Sequence, residues 1–84
     1  MSEITPAGEL FGERLREIRK KRGVTQVELA KLTGLPQSHV SAMERGAILP
    51  NLLTLLRLAK ALGCKTSELV STFDKRDLSV ILPN

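Results

Sequence analysis

Residues 25–46, TQVELAKLTGLPQSHVSAMERG, decide the fold, because they read as two short amphipathic segments that meet at one glycine. Thr25 is a natural N-cap: its hydroxyl can accept from the amide of Val27 or Glu28, and Glu28, three residues on, completes a capping box. Val27, Leu29, Ala30 and Leu32 fall on or beside the inner side of the helix that follows. Gly34 supplies the left-handed conformation that stops this helix abruptly. Pro36, whose backbone angle is preset for a first helical turn, opens the next one, expected from about Pro36 to Arg45 and closed by Gly46.

Residue sizes across the Gly34 turn suit two helices that cross steeply. Ala30 is small where the backbones must approach, Leu29 and Leu35 fill the angle, and Val40 and Met43 point back into the core. At about 100° per residue, Gln37, Ser38, Ser41, Ala42 and Arg45 cluster on the opposite side. This is the helix-turn-helix layout, in which the second helix is held outward to enter the major groove of DNA. A short, polar outer face fits that task. A glutamine amide matches adenine N6 and N7, serine hydroxyls bond several bases, and an alanine methyl rests on a thymine methyl. Gln26, at the start of the preceding helix, is placed to bind a phosphate and to brace Gln37.

Outward from this unit, residues 10–22 (LFGERLREIRKKR) place Phe11, Leu15 and Ile18 on one stripe and Arg14, Glu17 and Lys21 on another, which predicts an amphipathic helix ended by Gly23. Lys20, Lys21 and Arg22 suit the negative end of its dipole. Asn51, after Pro50, caps a further helix, LLTLLRLAKAL, with Leu52, Leu55, Leu56, Leu58, Ala59 and Leu62 expected inward and Gly63 ending it. Thr66 or Ser67 caps a short fifth helix, SELVSTF. The polar run DKRD breaks the pattern, and LSVIL predicts an extended arm or strand. The expected organisation is therefore an N-terminal arm (1–9), a DNA-binding domain (10–73) and a C-terminal tail (74–84).

Composition narrows the alternatives. The chain has 84 residues, 42% of them hydrophobic and 26% charged, which suits one globular domain with one modest core. Its net charge of +4 is spread evenly, with eight cations against six acids in residues 1–45 and five against three in 46–84. Charge alone thus points only weakly to a polyanion. One cysteine, Cys64, closes no intrachain disulfide, and no cysteine and histidine cluster suits zinc. A buried thiol is the expectation for Cys64, and a packed or surface imidazole for His39. MSEITPAGEL lacks the character of a signal peptide, and no stretch approaches a membrane span, so a cytoplasmic protein without cofactor or metal is expected. No nucleophile, base and orienter set suggests an enzyme. Phe11 and Phe73 are the only aromatics, and both sit at apolar positions, which disfavours RNA binding by stacking.

The pieces RKKRGVTQVELAKLTGL, VSAMERG, Pro50 and TLLRLAKALG together resemble the phage-repressor and Cro-like (Xre-type) helix-turn-helix family over roughly residues 10–70. The resemblance implies an all-α, compact five-helix, lambda-repressor-like domain with a short C-terminal arm. It also implies that helix 36–45 reads the major groove through Gln37, Ser38, Ser41 and Ala42. The family's paired glutamines correspond to Gln26 and Gln37, and its arginine to glutamate bridge between the first and third helices corresponds to Arg19 and Glu44, a structural pair. Pro36 departs from the usual serine or threonine cap, and the loop GAILPN carries Ala47, Ile48 and Leu49 where many relatives have polar or basic residues.

The candidate DNA-binding set is thus Thr25, Gln26, Gln37, Ser38, Ser41, Ala42 and Arg45. Leu69, Phe73, Leu78, Val80, Ile81 and Leu82 exceed the needs of a small core and are the candidate dimerisation residues. The function expected is a transcriptional regulator, most simply a repressor, that binds a palindromic operator in double-stranded DNA as a homodimer. The alternative is an antitoxin that holds a toxin protein and represses its own operon.

Overall fold

The computed structural model describes residues 4–76 and 78–82. Among these it has six helices and no strand: α1 (Pro6–Lys21), α2 (Gln26–Thr33), α3 (Gln37–Glu44), α4 (Leu52–Leu62), α5 (Thr66–Leu69), a 3₁₀ turn (Ser71–Lys75) and α6 (Leu78–Ile81). One apolar cluster joins them. Phe11, Leu15 and Ile18 enter it from α1, Leu29 and Ala30 from α2, Val40 and Met43 from α3, Leu58, Ala59 and Leu62 from α4, and Leu69 from α5.

The caps follow from local chemistry. The Thr25 hydroxyl accepts from the Glu28 amide at 3.0 Å while the Glu28 carboxylate accepts from the Thr25 amide at 3.0 Å, so α2 opens on a complete capping box. Gly34 ends α2 at φ 75°, a left-handed conformation that costs a side-chain-bearing residue about 1 kcal/mol or more. The Asn51 side chain accepts from the Thr54 amide at 2.8 Å and starts α4. At α3 the cap is Pro36, which makes no side-chain hydrogen bond, and the helix is one residue shorter at each end than expected.

The structure corrects several expectations. The leading segment 1–9 is helical from Pro6, because the Thr5 hydroxyl accepts from the Gly8 amide at 3.0 Å and Pro6 pre-sets the first turn. The C-terminal segment is a 3₁₀ turn followed by α6 rather than an extended arm or strand. Ile81 is buried there, so one apolar face of LSVI rewards a helical turn. Residues 1–3 of the first segment and 77, 83 and 84 of the second lie outside the described residues.

On α4, Leu52 and Leu56 were expected inward but are 69% and 48% exposed, and on α2 Val27 and Leu32 are 44% and 61% exposed. Each of these helices meets the core over one narrow stripe, and these residues lie off it. Leu69, Ile81 and Phe73 were expected at a dimer surface. Leu69 and Ile81 are instead buried within the chain, and the half-buried Phe73 packs against its core cluster. Of that set Leu78, Val80 and Leu82 remain exposed.

Two glycines of α1 explain how closely it lies on the end of α3. A Cβ on Gly12 would stand 2.5 Å from the Glu44 carbonyl oxygen, and one on Gly8 would stand 2.3 Å from that of Gly46. Only bare Cα positions let the helix backbones approach so far. This contact presses α3 from behind and leaves its other side outward.

Candidate nucleic-acid interface

α3 is anchored by its inner side. Val40 and Met43 are fully buried, and truncating Met43 to alanine removes about 2–5 kcal/mol of packing. That anchoring sets the orientation of the remaining side chains. Gln37, Ser38 and Arg45 are exposed, Ser41 and Ala42 are half-buried, and His39 sits half-buried between the two sides. The Arg45 guanidinium donates to the Ser41 hydroxyl at 2.5 Å, which ties two candidate contact residues to each other one turn apart.

Beside this face stands the N-terminus of α2. The Glu28 amide is satisfied by Thr25, and the Leu29 amide by the Thr25 carbonyl at 2.9 Å. Among the described residues the Gln26 and Val27 amides meet no acceptor; they are the first donors of an eight-residue helix whose positive end favours an anion. The Thr25 hydroxyl, an acceptor in the cap, keeps its own proton for an outside acceptor.

Behind the face lies a polar hub. Arg19 donates through Nε to Glu44 Oε2 at 2.5 Å and through Nη2 to Glu44 Oε1 at 3.0 Å, while its Nη1 donates to the Val24 carbonyl at 2.9 Å. The two side chains are 10% and 4% exposed, so this is a buried, bidentate ion pair joining α1 to α3. Hydrogen bonding to Glu44 holds the Arg19 guanidinium above its ordinary pKa, against an opposing push from burial. Gln26 Nε2 also donates to Glu44 Oε1, at 3.0 Å. The glutamine expected to brace Gln37 is therefore braced on Glu44, a partner that no sequence spacing signalled.

Cys64 is half-buried, and burial pushes its thiol above the ordinary value, which keeps it a poor nucleophile. Among the described residues no three His, Cys, Asp or Glu side chains converge as metal ligands, and no helix is long and apolar enough to cross a membrane.

A sequence profile described as helix-turn-helix matches residues 15–69, which is well over half of the chain. The chain belongs to the helix-turn-helix family. Its relatives include phage repressors, in keeping with the resemblance carried by residues 10–70. The chain is 37% identical over 67 residues to an uncharacterized HTH-type transcriptional regulator of Sinorhizobium fredii, spanning 80% of this chain and 87% of that protein. It spans about two fifths of the length of several longer curated relatives. Among solved structures, the restriction-modification controller protein C.AhdI from Aeromonas hydrophila superposes with a TM-score of 0.72 at 44% identity, covering 74% of this chain and 94% of that one. The P22 c2 repressor in complex with a synthetic operator superposes with a TM-score of 0.66 at 41% identity, covering 70% of this chain and 89% of that one.

Proposed function

We propose that this helix-turn-helix protein is a sequence-specific DNA-binding transcriptional regulator, acting as a repressor by occupying a palindromic operator as a homodimer in the cytoplasm. The observation that carries the reading is the two-sided character of α3: its inner side, Val40 and Met43, is locked in the core, while Gln37, Ser38 and Arg45 are exposed on the other side beside the small, half-buried Ser41 and Ala42. The operator-bound P22 c2 repressor, similar in sequence and fold, supports it. In this reading Gln37, Ser38, Ser41 and Ala42 meet base edges in the major groove. Thr25, Gln26, the first amides of α2 and Arg45 meet phosphates, which set register without reading sequence.

Homodimerisation has a surface to use. Leu52, Leu53 and Leu56 of α4, with Leu49 before it, are all about half exposed or more and carry no charge. Leu78, Val80 and Leu82, in and just after α6, are further exposed apolar side chains. These leucines also fit the antitoxin alternative, in which a toxin protein covers them; co-purification of a second, different chain would favour it. Selection of bound duplexes from a random pool tests the main reading. The expected consensus is two symmetric halves about 34 Å apart, one helical turn. Recovery of no consensus from a folded chain would overturn sequence-specific binding, and a single unrepeated half would overturn the dimer.

A further inference from the structure

We infer that Glu44 is a positioning residue for DNA binding, orienting the Gln26 carboxamide toward a backbone phosphate; the inference rests on the regulator reading above. The Glu44 carboxylate receives three side-chain donors, two from Arg19 and one from Gln26. A salt-bridged carboxylate offers only acceptors, so the Gln26 amide must turn its nitrogen, not its oxygen, toward Glu44. One N–H of that nitrogen is used at 3.0 Å, and the second is left in a fixed direction at the first residue of α2, beside the unpaired Gln26 and Val27 backbone amides. A free glutamine would sample many rotamers and both amide orientations, and only some of them present a donor to a phosphate. Holding one of them in advance spares that ordering cost on binding.

Glu44 is suited to hold it because it is itself immobile. It is the last residue of α3, its side chain is 4% exposed, and Arg19 grips both of its oxygens while anchoring to the Val24 carbonyl next to the start of α2. The residue that ends the recognition helix therefore also aims a side chain on the neighbouring helix. The pair Arg19 and Glu44 joins α1 to α3, and Gln26 extends that junction to α2 and to the candidate phosphate site.

The test uses the full chain, an operator duplex taken from the random-pool selection and an unrelated duplex, with affinities measured well below each variant's unfolding temperature. Gln26→Ala removes the donor, Glu44→Asp keeps the charge but withdraws it by one methylene from Gln26, and Gln26→Asn keeps an amide too short to reach Glu44. Each should weaken binding to both duplexes roughly tenfold, the loss of one charge-assisted hydrogen bond. Gln26→Ala combined with Glu44→Asp should lose no more than Gln26→Ala alone. The core variant Ile18→Val should lower the melting temperature and leave affinity unchanged, which separates stability from aim. Wild-type affinity in Glu44→Asp or in Gln26→Asn, or a multiplied loss of about a hundredfold in the double variant, would overturn the inference. Should Glu44→Asp not fold, Gln26→Asn alone decides, since it leaves the Arg19 bridge intact. A wild-type chain that binds no duplex sinks the regulator reading and this inference with it, whereas binding with multiplied losses sinks only the inference.

Discussion

Gln37 and Gln26 carry the same carboxamide, and their surroundings give them different duties. Gln37 is exposed at the first turn of α3 with no partner to restrict what it reads, whereas Gln26 is half-buried and held by Glu44. Replacing Gln37 with alanine should therefore cost about 1–3 kcal/mol at the operator and nothing on unrelated duplexes, measured as the ratio of the two affinities. Equal losses on all sequences would contradict base reading. Glu28 offers a second check at this scale. Its hydrogen bonds with Thr25 hold the carboxyl below its ordinary value of 4.5. A depressed folded pKa means that the stabilisation is present above the unfolded value and is lost as pH falls through the folded one. Thermal melts below about pH 4.5 should accordingly show a flatter pH dependence in Glu28→Gln than in the parent. The capping box was legible in T-x-x-E because both partners lie within one turn. The Arg19 to Glu44 bridge spans 25 positions and could be expected only by resemblance, and the Gln26 bond to Glu44 could not be expected at all, because no local rule links the start of one helix to the end of another.

Helices α1, α2 and α4 show how far periodicity carries. The stripe of Phe11, Leu15 and Ile18 is buried as its spacing predicts, since charged residues on α1 leave one choice of inner face. LLTLLRLAKAL leaves more than one. With leucine on several of its sides, pattern alone cannot separate the side that meets α2 and α5 from the side that faces solvent, and Leu52 and Leu56 lie on the solvent side despite their apolar spacing. At the α1 and α3 contact the decisive residues are those without side chains. Gly12→Ala would place a methyl 2.5 Å from the Glu44 carbonyl oxygen and force the helices apart. The expected cost is about 1–3 kcal/mol, or roughly 4–24 °C in melting temperature for a domain of this size. An unchanged calorimetric melt would show that α1 does not press on α3. Because Glu44 sits at that contact, the variant should also weaken operator binding in the fraction that remains folded.

The whole molecule is a small core with more leucine than it can bury, and the excess lies on α4 and just before it, at Leu32 of α2, and at Leu78 and Leu82 near the C-terminus. Exposed positions tolerate charge, so Leu52→Glu with Leu56→Glu should change stability by no more than about 1 kcal/mol in total. If α4 joins two copies, sedimentation should show this pair of changes converting dimer to monomer, with full-operator affinity falling and half-site affinity preserved. Leu78→Glu with Leu82→Glu would have the same effect only if α6 joins them, so the two variants separate the surfaces. The sequence by itself determined the four helices within residues 10–62, the caps at Thr25, Gly34, Asn51 and Gly63 and the exposure of Gln37 and Ser38, because capping and amphipathic spacing act within a turn or two of chain. Tertiary structure alone decided which leucines of α4 are spent on the core, that residues 78–81 form a helical turn with Ile81 buried, and that Gln26 answers to Glu44. Those outcomes depend on which surfaces meet, and contact between distant segments is a property of packing that no local pattern encodes.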